Sequence, residues 1–218
     1  MKDYLQSRRS TKIKHMTAPG PNADELKEIL QIAARVPDHG KLSPFYFIVF
    51  QGTERATFGK HLRHLWAQDY ADATQEQLTH EENRFMRAPV VVAVVSRIRE
   101  SKIPVWEQLM CAGACCYNLC LAANACGYGT NWLSEWYSFD ERVHDILGLE
   151  KGRDNIAGFI YIGTATEVQD DRERPDLNDI TNLWTSGQMP DKKGNNYNKD
   201  GAGIPHNGFT IIQSEETK

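Results

Sequence analysis

The segment RRSTKIK, residues 8–14, sets Arg8, Arg9, Lys12 and Lys14 around the hydroxyls of Ser10 and Thr11. Guanidinium forks take phosphate oxygens two at a time, and hydroxyls can complete such a donor set. The segment reads either as a site for phosphate or another anion, or as a solvated basic turn. A second stretch, PDHGKLSP at 37–44, carries Asp38, His39, Lys41 and Ser43 between a helical pattern and an apolar strand. Loops held at the edge of a core often carry binding residues; the plainer reading is a helix-stop turn with incidental polar groups. A third stretch, CAGACCYNLCLAANAC at 111–126, contains all five cysteines of the chain.

The thiols could hold a metal, relay electrons or form a disulfide, but their spacing argues against each. At ~100° per residue, Cys111, Cys115 and Cys126 fall within about 60° of one another, with Cys116 and Cys120 about 140° and 180° from Cys111. Metal-binding cysteines usually come as close pairs on turns, whereas here a helix would scatter the sulfurs. Thiols one turn apart on a helix project side by side, which suits a disulfide poorly. No Lys, Arg or His lies nearby in sequence to lower a thiol pKa. These cysteines are therefore expected to be packing groups on a buried helix. Elsewhere, His61 and His64 share a helical face without a carboxylate motif, so no metal site is expected there. Gly127-Tyr128-Gly129 follows a helix and reads as its stop, not as a dinucleotide fingerprint.

The elements that must position these residues can be placed from pattern. A short helix is expected over the first nine or ten residues, ending at the basic segment. PNADELKEILQIAARVP reads as a helix with Asn22 as cap, Glu25 as capping-box partner and an apolar stripe of Leu26, Ile29, Leu30 and Ala33, stopped by Pro37. FYFIVF at 45–50 is a strand. One or two amphipathic helices, broken near Ala73, should fill 53–83. APVVVAVVS and IAGFIYIGT are continuous apolar runs of the kind buried on both faces of a sheet. The cysteine helix starts near Pro104. GYGTNWLSEW is expected as a loop, followed by a short helix capped by Asp140. Beyond Thr164 the chain turns polar, with Leu177, Ile180, Leu183 and Trp184 as its few apolar anchors, and 187–208 has the composition of an irregular arm. The pattern implies one domain of α+β or α/β sandwich type.

With 218 residues, 40% hydrophobic and a formal net charge of −4, the chain is long and apolar enough for a core and not basic enough to favour a nucleic-acid surface. The opening MKDYLQSRRS lacks the apolar stretch of a secretory leader, so a cytoplasmic location with free thiols is the expectation. No charged residue occurs from Leu109 to Leu133. Asn118, Asn124 and several glycines interrupt that run, and it is expected to be a core helix and not a membrane span.

RRSTK, ARVPDHGKLSPFYFIVF, RAPVVVAVV, IPVWEQLMCAGA, AANACGYGTNW and GFIYIGT occur in this order. Together they resemble the FMN-dependent nitroreductase family, in particular its short bacterial members, from about Leu5 to Thr164. The resemblance implies an α+β fold, a mixed β-sheet sandwiched by helices, built as an intimate homodimer with two FMN molecules at the interface. It divides the chain into a nitroreductase-like domain at 1–164 and an extension or arm at 165–218. It implies that Arg8 reaches the FMN phosphate, and Arg9 and Ser10 the phosphate, ribityl chain or ring edge. Lys12 would approach the N1/O2 side of the flavin. Pro37, Asp38, His39 and Lys41 would reach the flavin at the interface, and Asn131, Trp132 and Leu133 would line it. Some relatives carry arginine where this chain has Leu133, which makes Arg172 or Arg174 a candidate replacement contact. NADH or NADPH would serve as hydride donor to a nitroaromatic or quinone-like small-molecule acceptor in a ping-pong cycle. No side-chain nucleophile is then needed, because the cofactor carries the chemistry. The same fold leaves open a dehydrogenase, a dehalogenase or a flavin-consuming enzyme. The residues alone also leave a non-catalytic thiol or metal redox sensor.

Overall fold

The computed structural model describes residues 1–184, 186 and 187. The chain divides after Gln169 into two units. The first begins with α1 (Lys2–Ser7), β1 (Met16–Thr17), α2 (Ala23–Ala33) and β2 (Phe45–Gln51). It continues through α3 (Glu54–Asp69), α4 (Gln75–Glu82), β3 (Val90–Arg97) and α5 (Val105–Ala125). It closes with β4 (Gly129–Leu133), α6 (Glu141–Ile146) and β5 (Asp154–Ala165). In the second unit, α7 (Leu177–Ile180) is capped by the Asp176 side chain, which accepts from Asn178 N. The irregular-arm expectation for 187–208 falls almost wholly outside the described residues.

The sheet is organised around β5. β3 and β4 lie on its two sides and both run antiparallel to it, while β2 extends the sheet beyond β3 and β1 pairs with the end of β5. All ladders among the described residues are antiparallel, whereas the family resemblance implies a mixed sheet. The reason is the position of β5. The single helix α5 carries the chain across so that β3 and β4 point the same way, as a crossover does for parallel strands, and β5 inserts between them.

β3 is apolar at nearly every position because both its faces are covered. Val91, Ala93 and Val95 join Phe50, Phe58, Leu62, Phe85, Tyr137, Phe159 and Tyr161 in an aromatic-rich core on the α3 side. Val90, Val92 and Val94 join Ile160, Ile162, Leu26, Ile29 and Leu119 on the other side, beneath α2 and α5. The capping box of α2 forms as its sequence predicts: Asn22 Oδ1 accepts from Asp24 N and Glu25 N, and Glu25 Oε2 accepts from Asn22 N. The break between α3 and α4 lies at 70–74, as expected near Ala73.

Two expectations change. GYGTNWLSEW is not all loop, because residues 129–133 pair with Gly163–Phe159 of β5. Pairing with a strand far along the chain decides this segment, and its Gly, Thr and Asn content hides it. The last residue of α2 is Ala33, not a residue next to Pro37. Its end is held from α5, where Asn118 Nδ2 donates to the carbonyls of Ile32 at 2.6 Å and Arg35 at 3.2 Å.

Candidate functional site

The basic segment is tied down on two sides. α1 ends at Arg8 with extended backbone, and Thr11, nearly buried, donates N–H to Thr130 O at 2.8 Å. Asn131 Nδ2 returns a hydrogen bond to Thr11 O at 2.7 Å. The segment therefore lies alongside β4. Gly129 permits the approach, since a Cβ there would sit 2.5 Å from Thr11 Oγ1. Arg8 Nε donates to Tyr117 Oη at 3.3 Å, and its guanidinium carbon lies 5.1 Å from the centre of that ring. Tyr4 Oη donates to Asn124 Oδ1 at 3.1 Å, and Asn124 Nδ2 donates to Tyr128 O and Thr130 Oγ1. The outcome is a fixed strip on which Arg8 and Arg9 are half-buried and Ser10 and Lys12 are exposed.

The PDHGKLSP loop is fixed as firmly. Asp38 accepts from Leu42 N at 3.1 Å through Oδ1 and from Ser43 N at 2.8 Å through Oδ2. Lys41 and Ser43 have φ of 55° and 46°, values that L-residues hold only when their surroundings impose them. His39 Nδ1 lies 2.6 Å from Glu107 Oε2, on the first turn of α5. Pro37, His39 and Lys41 are exposed and Asp38 is half-buried.

The β4 residues do not share a face. Asn131 holds the Thr11 carbonyl. Trp132 is 40% exposed, donates Nε1–H to Ala157 O at 3.3 Å and lies across Gly158. Leu133 packs against the aromatic core. Within one chain the two polar groups meet α5 at different heights, His39 at Glu107 and Arg8 at Tyr117. Those positions are about 15 Å apart along a helix rising 1.5 Å per residue. In the second unit, Arg174 Nη2 pairs with Asp171 at 3.0 Å and Arg172 N donates to the same carboxylate.

The cysteine helix lies between these groups. Cys111, Cys115, Cys116 and Cys120 are buried and all five thiols are free. Burial pushes Cys111 and Cys120 up to about 11 and Cys115 up to about 12, and raises Cys116 further. They are poor thiolates, in keeping with a packing role. Cys126 is not on the helix but caps it. Gly127, at φ 88°, and Tyr128 then bond back to Asn124 O and Ala123 O, the helix stop expected of this sequence.

The outward side of α5 is apolar as well. Trp106 is 64%, Met110 56% and Tyr117 42% exposed, and a Cβ on Gly113 would touch nothing within 4 Å. Among the described residues no helix is long and apolar enough to cross a membrane. A shallow groove of about 470 Å³ beside α2, lined by Leu26, Leu30, Ala34 and Gln51, belongs to neither polar group.

On the far side of the sheet lies an ion cluster that sequence pattern does not reveal. Arg87 Nη2 donates to Glu135 Oε2 at 2.5 Å and to the hydroxyls of Tyr137 and Tyr161. Arg84 bridges Glu81 at 2.6 Å and Glu135 at 2.8 Å. Burial works against the charge on Glu135, but hydrogen bonds from Arg87 and Tyr137 and the charges of Arg87 and Arg84 hold its carboxyl below the usual value.

Sequence reasoning also missed Tyr117, Asn124 and Glu107, the α5 residues that hold the two polar groups. The signal was there for two of them, since a hydroxyl and an amide within the uncharged stretch of a helix need partners.

Known proteins agree with this architecture. The sequence profile of the Nitroreductase family matches residues 5–164, so the chain belongs to that family. A Haemophilus influenzae protein provisionally named an NAD(P)H nitroreductase is 36% identical over 165 residues, covering 75% of this chain and 87% of that one. Among solved structures, a nitroreductase-like family protein from Bacillus cereus superposes with a TM-score of 0.73 at 21% identity, covering 84% of this chain and 95% of that one. A provisionally named nitroreductase from Desulfovibrio desulfuricans, solved in complex with FMN, superposes with a TM-score of 0.65 at 20% identity, covering 84% and 96%.

Proposed function

We propose that this chain is an FMN-dependent NAD(P)H oxidoreductase, active as a homodimer, that reduces nitroaromatic or quinone-like acceptors in a ping-pong cycle. The observation that carries the reading is the outward apolar stripe of α5, with a fixed cationic strip near one end and a fixed histidine loop at the other. The stripe runs through Trp106, Met110, Gly113, Tyr117 and Leu121, at helical spacing centred near Gly113. A two-fold axis there would run two copies of α5 antiparallel, as an isologous interface allows. Glu107 of one copy would then face about position 120 of the other, only about 5 Å along the axis from Tyr117. The His39 loop of one chain and the Arg8 strip of the other would thus come together, although within one chain they stand apart.

The donor set suits FMN. Its phosphate needs cations and hydroxyls, which Arg8, Arg9 and Ser10 supply from a strip whose backbone is already tied to β4. Lys12, exposed beside them, offers a cation to the electron-rich side of the ring, and the half-exposed indole of Trp132 offers an apolar wall. Pro37, Asp38, His39 and Lys41 would close the pocket from the second chain. When bound, FMN supplies the two-electron chemistry between nicotinamide and acceptor. The chain's own residues bind, orient and exclude water. Leu133, packed in the aromatic core, would contribute by holding β4 in place.

The test is direct. Purified protein incubated with FMN and freed of excess should keep a flavin absorbance band. Anaerobic NADH or NADPH should bleach it, and a nitroaromatic or quinone should restore it. Protein that retains no flavin, or a bound flavin that neither nicotinamide bleaches, would overturn the reading.

A further inference from the structure

The His39 loop is built with more constraint than a connecting turn needs. Asp38 accepts two backbone N–H groups from Leu42 and Ser43, and two non-glycine residues stay at positive φ. The loop tip rests on Ile103, whose Cγ1 would lie 3.5 Å from a Cβ on Gly40. Ile103 is itself stapled to α5. Buried Gln108 donates Nε2–H to Ile103 O and Arg99 O, both at 3.1 Å, and accepts from Arg99 N at 2.8 Å. The residue before Gln108 is Glu107, whose carboxylate meets His39 Nδ1 at 2.6 Å. The His39 side chain is nevertheless 62% exposed. An exposed imidazole is thus held by a carboxylate on a rigid base, with its other nitrogen turned away from that carboxylate.

We propose that Glu107 is a positioning residue for His39: its carboxylate keeps a proton on Nδ1 and leaves Nε2 as the nitrogen offered to the flavin or to a substrate stacked on it. A carboxylate can only accept a hydrogen bond, so Nδ1 must donate in both charge states of the ring. Nε2 is then the atom that gains or loses the proton, at a place set by α5 and not by the loop alone. This is the logic by which an acceptor on one ring nitrogen defines the role of the other. The inference rests on the proposed flavin site, and it extends that site to a residue that contacts no cofactor itself.

Histidine ¹⁵N NMR of the apo-protein, with the His39 signal assigned by its loss in His39→Gln, reads the proton positions directly. In the wild-type chain Nδ1 should stay protonated through the titration while Nε2 changes. In Glu107→Ala the neutral ring should shift to the Nε2–H tautomer that free histidine prefers. FMN affinity, read by quenching of flavin fluorescence, should fall about tenfold in Glu107→Ala, the scale of one charge-assisted hydrogen bond. Glu107→Gln, which keeps an acceptor without the charge, should fall in between. A purely structural acid in the first turn of α5 would change stability without moving the tautomer. A wild-type His39 whose neutral form carries its proton on Nε2, or a folded Glu107→Ala that binds FMN like wild type, overturns the proposal. If the wild-type chain takes up no FMN, the proposed function fails instead, and the NMR result alone decides the role of Glu107.

Discussion

On the α3 side of the sheet, the charges of the ion cluster find their partners inside the chain. Arg87 binds Glu135 and two tyrosine hydroxyls, Arg84 binds two glutamates, and Trp136 Nε1 donates to Glu81. On the α5 side the inner face is packed as tightly, with Cys115, Cys116, Leu119 and Ala123 fully buried, while the outer face shows Trp106, Met110 and Tyr117 to solvent. His39, Lys12 and Lys41 are exposed, and His39 meets the first turn of α5. The ion cluster of the first face is paired within one chain. The second face has the composition of an interface with polar groups fixed at its margins, where a partner and a ligand would meet them.

The sharpest way to break this contrast is to remove a charge from the ion cluster. Arg87→Ala takes from Glu135 one of its two arginine partners, leaving Arg84 and the Tyr137 hydroxyl to bond it, and removes a donor to the hydroxyls of Tyr137 and Tyr161; it should cost about 3 kcal/mol in chemical denaturation. A loss under about 1 kcal/mol, the range of surface ion pairs, would mean that the cluster is solvated and the contrast false. Met110→Lys attacks the open face instead. It should leave the monomer's unfolding transition nearly unchanged and weaken self-association about a hundredfold, near 2.7 kcal/mol, by sedimentation velocity across a dilution series. If the monomer unfolds and the association does not change, the stripe is core and not interface.

Acid probes the same ions more gently. The carboxyl of Glu135 lies below its ordinary value in the folded chain. Asp154 does too, because Arg97 and the Glu150 N–H outweigh the effect of its burial. A depressed carboxyl contributes stability above its unfolded value, about 4, and loses it as pH falls through the lower folded value. Stability should therefore drop below about pH 4, and the drop should shrink in Arg87→Ala; an equal acid dependence in both proteins would exclude Glu135 as a source. The smallest expected effect is at α2, where Asn22→Ala removes the capping box shared with Glu25. A loss of about 1 kcal/mol by thermal or urea unfolding is expected.

What could be seen in the sequence follows the distance over which each signal acts. The α2 cap, the alternation of β3 residues between two cores and the helix stop at Gly127 depend on neighbours within a few positions, and all three are present. Burial of four of the five cysteines followed from their uncharged surroundings; Cys126, at the helix end, is half-buried. β4 was hidden because its partner lies some thirty residues on, and the Arg87–Glu135 pair because its members are 48 residues apart. Asn118 and Gln108 sit in or beside the apolar stretch as polar exceptions, and only the fold shows that they tie α2 and the 99–103 segment to α5. For the candidate site, the basic strip and the histidine loop were visible as residue types. Their mounting on Tyr117 and Glu107 was not.

Subunit mixing tests the central claim, that each flavin site joins the Arg8 strip of one chain to the His39 loop of another. Arg8→Ala and His39→Gln chains, each weak in FMN binding as a homodimer, would be co-expressed with different tags and the mixed dimer isolated. The account predicts one fully wild-type site per mixed dimer, hence binding of one FMN per dimer at wild-type affinity. A mixed dimer in which every site stays impaired would contradict it and place both groups in a pocket formed by a single chain.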